Sequence, residues 1–237
     1  MNKEDNFKEK FKEALVSTVK VISEDYDIKK DNSNKLDPKN NNFFEIGELN
    51  NKEDYIKIRA ETDSEALKRK FSNINIYQKN LPKKNSCKLL YDLSEQIRYE
   101  LLGTKMLNGI SKNLKENYSN KILLKKKDQL NSKDDVPIEE AFELYMLKNF
   151  LGIKLNQLSE KILSYWEEDF KNSFNQHLKY LYQNLENQEV YNSKLSEILQ
   201  NMEIFESENS EDKEQAQEDN KEDKNNSNND ESNDSSK

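Results

Sequence analysis

Residues 86–103 read SCKLLYDLSEQIRYELLG. Cys87, Leu90, Ser94, Ile97 and Leu101 recur at spacings of three and four, which places them on one face of a helix in a near-heptad seam. Tyr91 and Leu93 widen the apolar side. Ser86 opens this helix, and Gly103 is placed to end it, because glycine accepts the positive φ of a helix C-cap. Three charged residues, Glu95, Arg98 and Glu100, are set among the core-forming ones. Glu95 and Arg98 lie three apart, close enough to pair on one helical face.

The flanks share this mixture. Upstream, residues 59–67 read RAETDSEAL, with Arg59, Glu61 and Asp63 alternating before a helix. Thr62 or Asp63 can cap that helix, which runs through Phe71 with Ala66, Leu67 and Phe71 inward. Arg98 has Glu95 as one candidate partner and Glu61 or Asp63 across the fold as others. Downstream, residues 106–114 read MLNGISKNL. Gly109 allows a tight turn, a short helix follows over 110–118, and residues 120–130 read as another with a basic end.

The rest of the chain is also helical in pattern. Phe7, Phe11, Leu15, Val19 and Ile22 form one face of an amphipathic helix over 6–22. A polar loop spans 27–42. Residues 43–46 and 55–58 are aromatic and β-branched, and Tyr55, Ile56 and Ile58 suggest one small β-hairpin. Pro82 breaks the chain. Asp134 and Asp135 precede Pro137, a good helix start, and Ile138, Ala141, Phe142, Tyr145 and Phe150 carry that helix to Gly152. Ser159 starts a long helix whose stripe runs Ile162, Trp166, Phe170, Phe174, Leu178, Leu181 and Leu185. Tyr191, Leu195, Ile198, Met202 and Phe205 close the ordered part. The expected fold is mainly α: a multi-helix domain over 1–205 with at most one hairpin, followed by a disordered acidic tail over 206–237. After Phe205 there is no Val, Ile, Leu, Met, Phe, Trp, Tyr or Cys, too little to offset the ordering of the backbone.

The 237-residue chain is 33% hydrophobic and 35% charged, with 4 Gly and 3 Pro. Little turn punctuation argues against an all-β protein. The net charge of −8 sits entirely in the tail, where 12 acidic residues face 4 lysines; the body is neutral. A neutral body lacks the basic face that releases phosphate counterions, so nucleic acid is not an expected partner. No run reaches the ~18 apolar residues of a membrane span. The N-terminus lacks a secretory h-region. The single cysteine, Cys87, forms no intrachain disulfide. A cytoplasmic protein is the expectation.

Candidate chemistry is sparse. No GxxxxGK[ST] or GxGxxG loop is present. His177 is the one histidine, without a Cys or His nearby to make a ligand set. Cys87 lies on the helix seam, as a buried small hydrophobe does. Trp166 falls on a helical stripe beside Glu167, Glu168 and Asp169, which would repel nucleic acid. Glu139, Glu140 and Glu143 read as an acidic first turn favoured by the helix dipole. No catalytic, cofactor or metal residue is assigned. The candidate functional residues are Arg59, Glu61, Asp63, Glu95, Arg98 and Glu100, read as an ion-pair network fixing how helices meet, as a partner contact, or as both.

At these residues the chain resembles the CobT subunit of aerobic cobaltochelatase. The family's R-x-E-x-D-x-x-A-L element is matched by Arg59, Glu61, Asp63, Ala66 and Leu67. Its F-D-x-x-E-Q-x-R-x-E-x-x-G element is matched by Tyr91, Asp92, Glu95, Gln96, Arg98, Glu100 and Gly103, with tyrosine as the aromatic. Its M-x-G-V-x-x-N-L element is similar, with one fewer match in exact spacing, to Met106, Gly109, Ile110, Asn113 and Leu114. Where family members carry histidines after the Ala-Leu helix, Ser72 and Tyr77 stand here, so the resemblance carries no metal role to those positions. The family continues beyond its acidic linker into a von Willebrand A domain. This chain stops in the linker, which reads as a fragment or one half of a split protein. The resemblance implies a role in cobalamin biosynthesis, as the non-ATPase partner of an AAA+ ATPase subunit and a large corrin-binding subunit. It implies ATP, magnesium and cobalt for the complex and none bound by this chain. The rival expectation is a stand-alone helical adaptor or chaperone-like protein with an acidic tail.

Overall fold

The computed structural model describes residues 3–27, 49, 51–124 and 130–205. Most of the loop expected at 27–42, the strand at 43–46 and the tail at 206–237 lie outside them. Among the described residues the structure is α-helical and contains no strand.

Helix α4 (Asn85–Met106) is the centre of the molecule. From Ser94 to Gly103 every residue except Gln96 is buried, as a helix must be when other elements cover it on several sides. On one side pack α2 (Lys52–Phe71) and α5 (Asn108–Leu124), with α1 (Lys3–Ser23) laid on α2. Here Val19, Ile22, Ala60, Ala66, Leu67, Tyr99, Ile110 and Leu114 form one apolar cluster. On the other side lie α6 (Ile138–Met146), α7 (Gln157–Ser164), α8 (Glu167–Gln183) and α9 (Gln188–Gln200). Together with α4 they enclose a larger core, which holds Leu90, Tyr91, Phe142, Tyr145, Phe170, Phe174, Tyr191 and Leu195. The short α3 (Ile74–Lys79) bridges α2 to α9.

Several boundaries differ from the sequence reading. The hairpin is not formed: residues 55–58 are helical, inside α2. Asn51 caps α2 in a reciprocal capping box with Asp54, which satisfies two orphan donors and starts the helix well upstream of Thr62 and Asp63. Both of those residues are therefore interior and buried. The rings of Phe7 and Phe11 meet Tyr55 edge-on at 6.0 and 5.2 Å, so the aromatics of 55–58 serve helix packing.

Gly103 is not a cap, for α4 continues to Met106. A Cβ at Gly103 would lie 2.3 Å from Leu67 Cδ1; its bare backbone lets α2 close on α4. Gly109 lies in the first turn of α5, which runs unbroken to Leu124, so the two helices expected over 110–130 are one as far as the structure describes them. After α6 a π turn (Leu147–Leu151) ends at Gly152, as expected. There φ is +63° and Ile153 N–H donates to Leu147 O at 3.1 Å. The long helix from Ser159 is two helices, because the backbone of Trp166 leaves the helical region at φ −120°.

Candidate functional site

Glu95 and Arg98 face inward from α4, with side chains 4% and 0% exposed. Arg98 Nε donates to Glu95 Oε2 at 2.7 Å and Nη2 to Oε1 at 2.8 Å, a bidentate pair. The remaining donors leave α4. Nη1 reaches Leu185 O at 2.7 Å, and Nη2 reaches Phe71 O at 2.6 Å. Glu95 Oε1 also accepts from Ser72 Oγ at 2.7 Å and Gln188 Nε2 at 2.9 Å. Beside it Ser94 Oγ and Tyr191 OH share a hydrogen bond of 2.8 Å. This ion pair ties the end of α2 and the α8–α9 connection to one spot on α4. Charges so deep cost several kcal/mol each to desolvate, which is tolerable only with every lone pair and proton matched. Of the partners open to Arg98, the structure uses Glu95, not Glu61 or Asp63.

Glu100 lies two residues on and serves a second junction. Its Oε1 accepts from Ser64 Oγ at 2.6 Å and Gln96 Nε2 at 2.9 Å, and its Oε2 from Tyr118 OH at 2.6 Å. The three donors come from α2, α4 and α5. Burial pushes the Glu100 carboxyl above its ordinary value, against these hydrogen bonds and the nearby Lys121 charge. Burial likewise lifts the Tyr118 phenol, reinforced by the Glu100 charge.

The 59–63 segment does not alternate; it is helical and its side chains diverge. Glu61 is exposed and faces Lys57, one turn back, at 3.9 Å. Asp63 is buried on α2 and accepts from Asn113 Nδ2 of α5 at 2.7 Å. Burial raises its carboxyl, opposed by that hydrogen bond and by Arg59. Arg59 is exposed and makes no ion pair within 4.0 Å among the described residues. With Asp63, Asn113, Gly109 and Ile110 it lines an apolar groove of about 480 Å³.

Five of the six candidates therefore fall into three separate constellations, Glu95 with Arg98, Glu100, and Asp63 beside Arg59, and Glu61 belongs to none. The partners Ser64, Ser72, Gln96, Asn113, Tyr118 and Gln188 were not singled out as polar contacts. Of these, Gln96 and Asn113 stand in the sequence elements at 91–103 and 106–114 that carry the resemblance. The singly noted residues behave as packing groups. Cys87 is fully buried, its Sγ 3.4 Å from Leu199 O. Trp166 donates its indole N–H to Val136 O at 3.0 Å, with Lys133 Nζ 4.2 Å from the ring. His177 is half-buried beside a polar cleft between α8 and α9, and burial lowers its pKa. Ser72 and Tyr77 hydrogen-bond Glu95 and Asp92.

No described helix is long and apolar enough to cross a membrane. No solved structure matches the chain. Residues 5–237 match the family described as Cobalamin biosynthesis protein CobT, across all three constellations and beyond them. By that match over nearly its whole length, the chain belongs to the CobT family and so to cobalamin biosynthesis.

Proposed function

We propose that this chain is the N-terminal part of the non-ATPase subunit of an ATP-dependent cobalt chelatase, which inserts cobalt into a corrin ring in the cytoplasm. It works by assembly with the AAA+ ATPase subunit and the large corrin-binding subunit. ATP and magnesium belong on this reading to the ATPase, and cobalt, as substrate, to the large subunit. Residues 1–205 are the helical unit and 206–237 an acidic linker.

The observation that carries this reading is the use made of Glu95, Arg98 and Glu100 within a CobT-family chain. Their charged groups are spent on joining α2, α4, α5 and the α8–α9 connection. That suits a rigid module which presents surfaces.

The test is reconstitution. The chain is mixed with the ATPase and large subunits encoded by the same genome, followed by size-exclusion chromatography and a cobalt-insertion assay with ATP. The expected result is co-elution with at least one subunit and loss of cobalt insertion when the chain is left out. Undiminished insertion without it, and elution alone, would overturn the reading in favour of a stand-alone adaptor.

A further inference from the structure

The two ends of the stretch 59–114 meet in the groove between α1, α2 and α5. Its volume, about 480 Å³, lies in the range that holds a specific ligand or anchor side chains. Ile22 and Ile110 are buried along it, while Val21 and Leu107 line it with 64% and 48% of their surface exposed. Met106, next to Leu107, is also exposed. The charged lining is Arg59 and Asp63, and the two are not equivalent. Asp63 is buried and engaged by Asn113. Arg59 is exposed and has no ion pair among the described residues. The groove thus offers apolar walls and an exposed guanidinium whose charge is felt by Asp63 but which no carboxylate of the described residues pairs within 4.0 Å.

We propose that this groove docks a partner-protein segment that carries apolar side chains and a carboxylate within about one helical turn of them. The apolar groups cover Val21 and Leu107, and the carboxylate meets Arg59, a geometry that a guanidinium fork suits. The inference rests on the reading that the chain works by assembly, and it names the surface. Two other occupants fit less well. The acidic segment 206–237 has carboxylates but no Val, Ile, Leu, Met, Phe, Trp, Tyr or Cys to place on the walls. A second copy meeting groove to groove would set two guanidinium groups in one apolar seam, with Asp63 already engaged on each side.

The test uses the full chain with the ATPase and large subunits, and four variants: Val21→Lys, Leu107→Lys, Arg59→Glu and, as a control on exposed α4 surface outside the groove, Leu89→Lys. All four positions are exposed, and unchanged far-UV circular dichroism checks folding. Binding is measured by titration, and a photo-crosslinking residue at position 107 identifies what sits there. The expected result is that the three groove variants each weaken binding to one subunit about tenfold or more, while Leu89→Lys binds as wild type. The cross-linked peptide then comes from that subunit and contains apolar residues beside Asp or Glu. Wild-type binding with no loss in the groove variants overturns the groove and leaves the assembly reading standing. Cross-linking to a second copy, or to residues 28–48 or 206–237 of the same chain, also overturns it. Failure of the wild type to bind either subunit overturns both.

Discussion

Arg98 has no exposed surface to spare, yet it is among the largest buried side chains in the protein. Its contribution is a difference between two large terms. Replacing it by methionine leaves Glu95 charged in the interior and strips Leu185 O and Phe71 O of their donor. Arg98→Met should cost about 3–5 kcal/mol in urea denaturation, whereas Glu95→Leu combined with Arg98→Met should cost less than Arg98→Met alone. A double variant as damaged as the sum of the singles would show that the pair is not coupled. Glu100 has a pH signature. Burial favours its neutral form, so its folded pKa lies above the ordinary 4.5. The stability this adds is complete below that value and is lost as pH rises through the window above it. Melting temperatures of wild type and Glu100→Gln across pH should diverge accordingly, with wild type losing ground to the variant as pH rises. A pH-independent difference would contradict the assignment. At this scale the Glu95–Arg98 pair was legible, since a separation of three residues puts both on one face. The carbonyls of Phe71 and Leu185 were not, because backbone acceptors carry no sequence signal and Leu185 lies 87 residues away.

Helix α2 shows where local pattern misleads. Residues 55–58 contain β-branched and aromatic side chains, and taken alone they alternate. Yet Tyr55, Ile58, Thr62 and Ala66 also follow at three and four, and that longer period holds across the supposed boundary. The capping box at Asn51 and Asp54 and the rings of Phe7 and Phe11 decide the matter from outside the window. Gly103 teaches a related lesson. Glycine after an apolar seam has two uses, a positive φ or a close approach, and only the partner helix tells which. Leu67 supplies the answer here. Gly103→Ala gains helix propensity but drives a methyl into a side chain that is fully buried. It should destabilise by about 1–3 kcal/mol, and Leu67→Ala combined with it should recover part of the loss, measured by thermal melts. An increase in stability for Gly103→Ala alone would contradict the close packing. Helices over 6–22, 86–102 and 138–152 were legible because each keeps one stripe throughout. The break at Trp166 was not, because the stripe continues through it unchanged.

Across the whole molecule, α4 and α5 each contribute buried residues to two apolar clusters of unequal size. The smaller one depends on α1, whose principal contact is α2. Its Phe7 and Val21 are largely exposed. Elements with few buried contacts open most readily. Amide hydrogen exchange should therefore be fastest in α1, slower in α2 and α5, and slowest in α4 and α9. Protection of α1 equal to that of α4 would show that the two clusters open as one. The mainly helical class and the neutral body were both readable from composition and periodicity. The division into two clusters was not, because it depends on which faces of α4 meet which helices, and α4 is apolar on more than one.

Trp166 gives that division an optical consequence. It is the chain's single tryptophan, and it packs against the larger cluster, with its indole bonded to Val136 O and a lysine ammonium over its face. The smaller cluster contains none. Intrinsic fluorescence excited at the indole band thus watches one half of the protein without labelling, while circular dichroism watches every helix. If the two halves melt together, the two traces superimpose. If α1 and α2 loosen first, dichroism falls while the emission maximum stays put, and the gap between the curves reads the coupling that α4 and α5 provide.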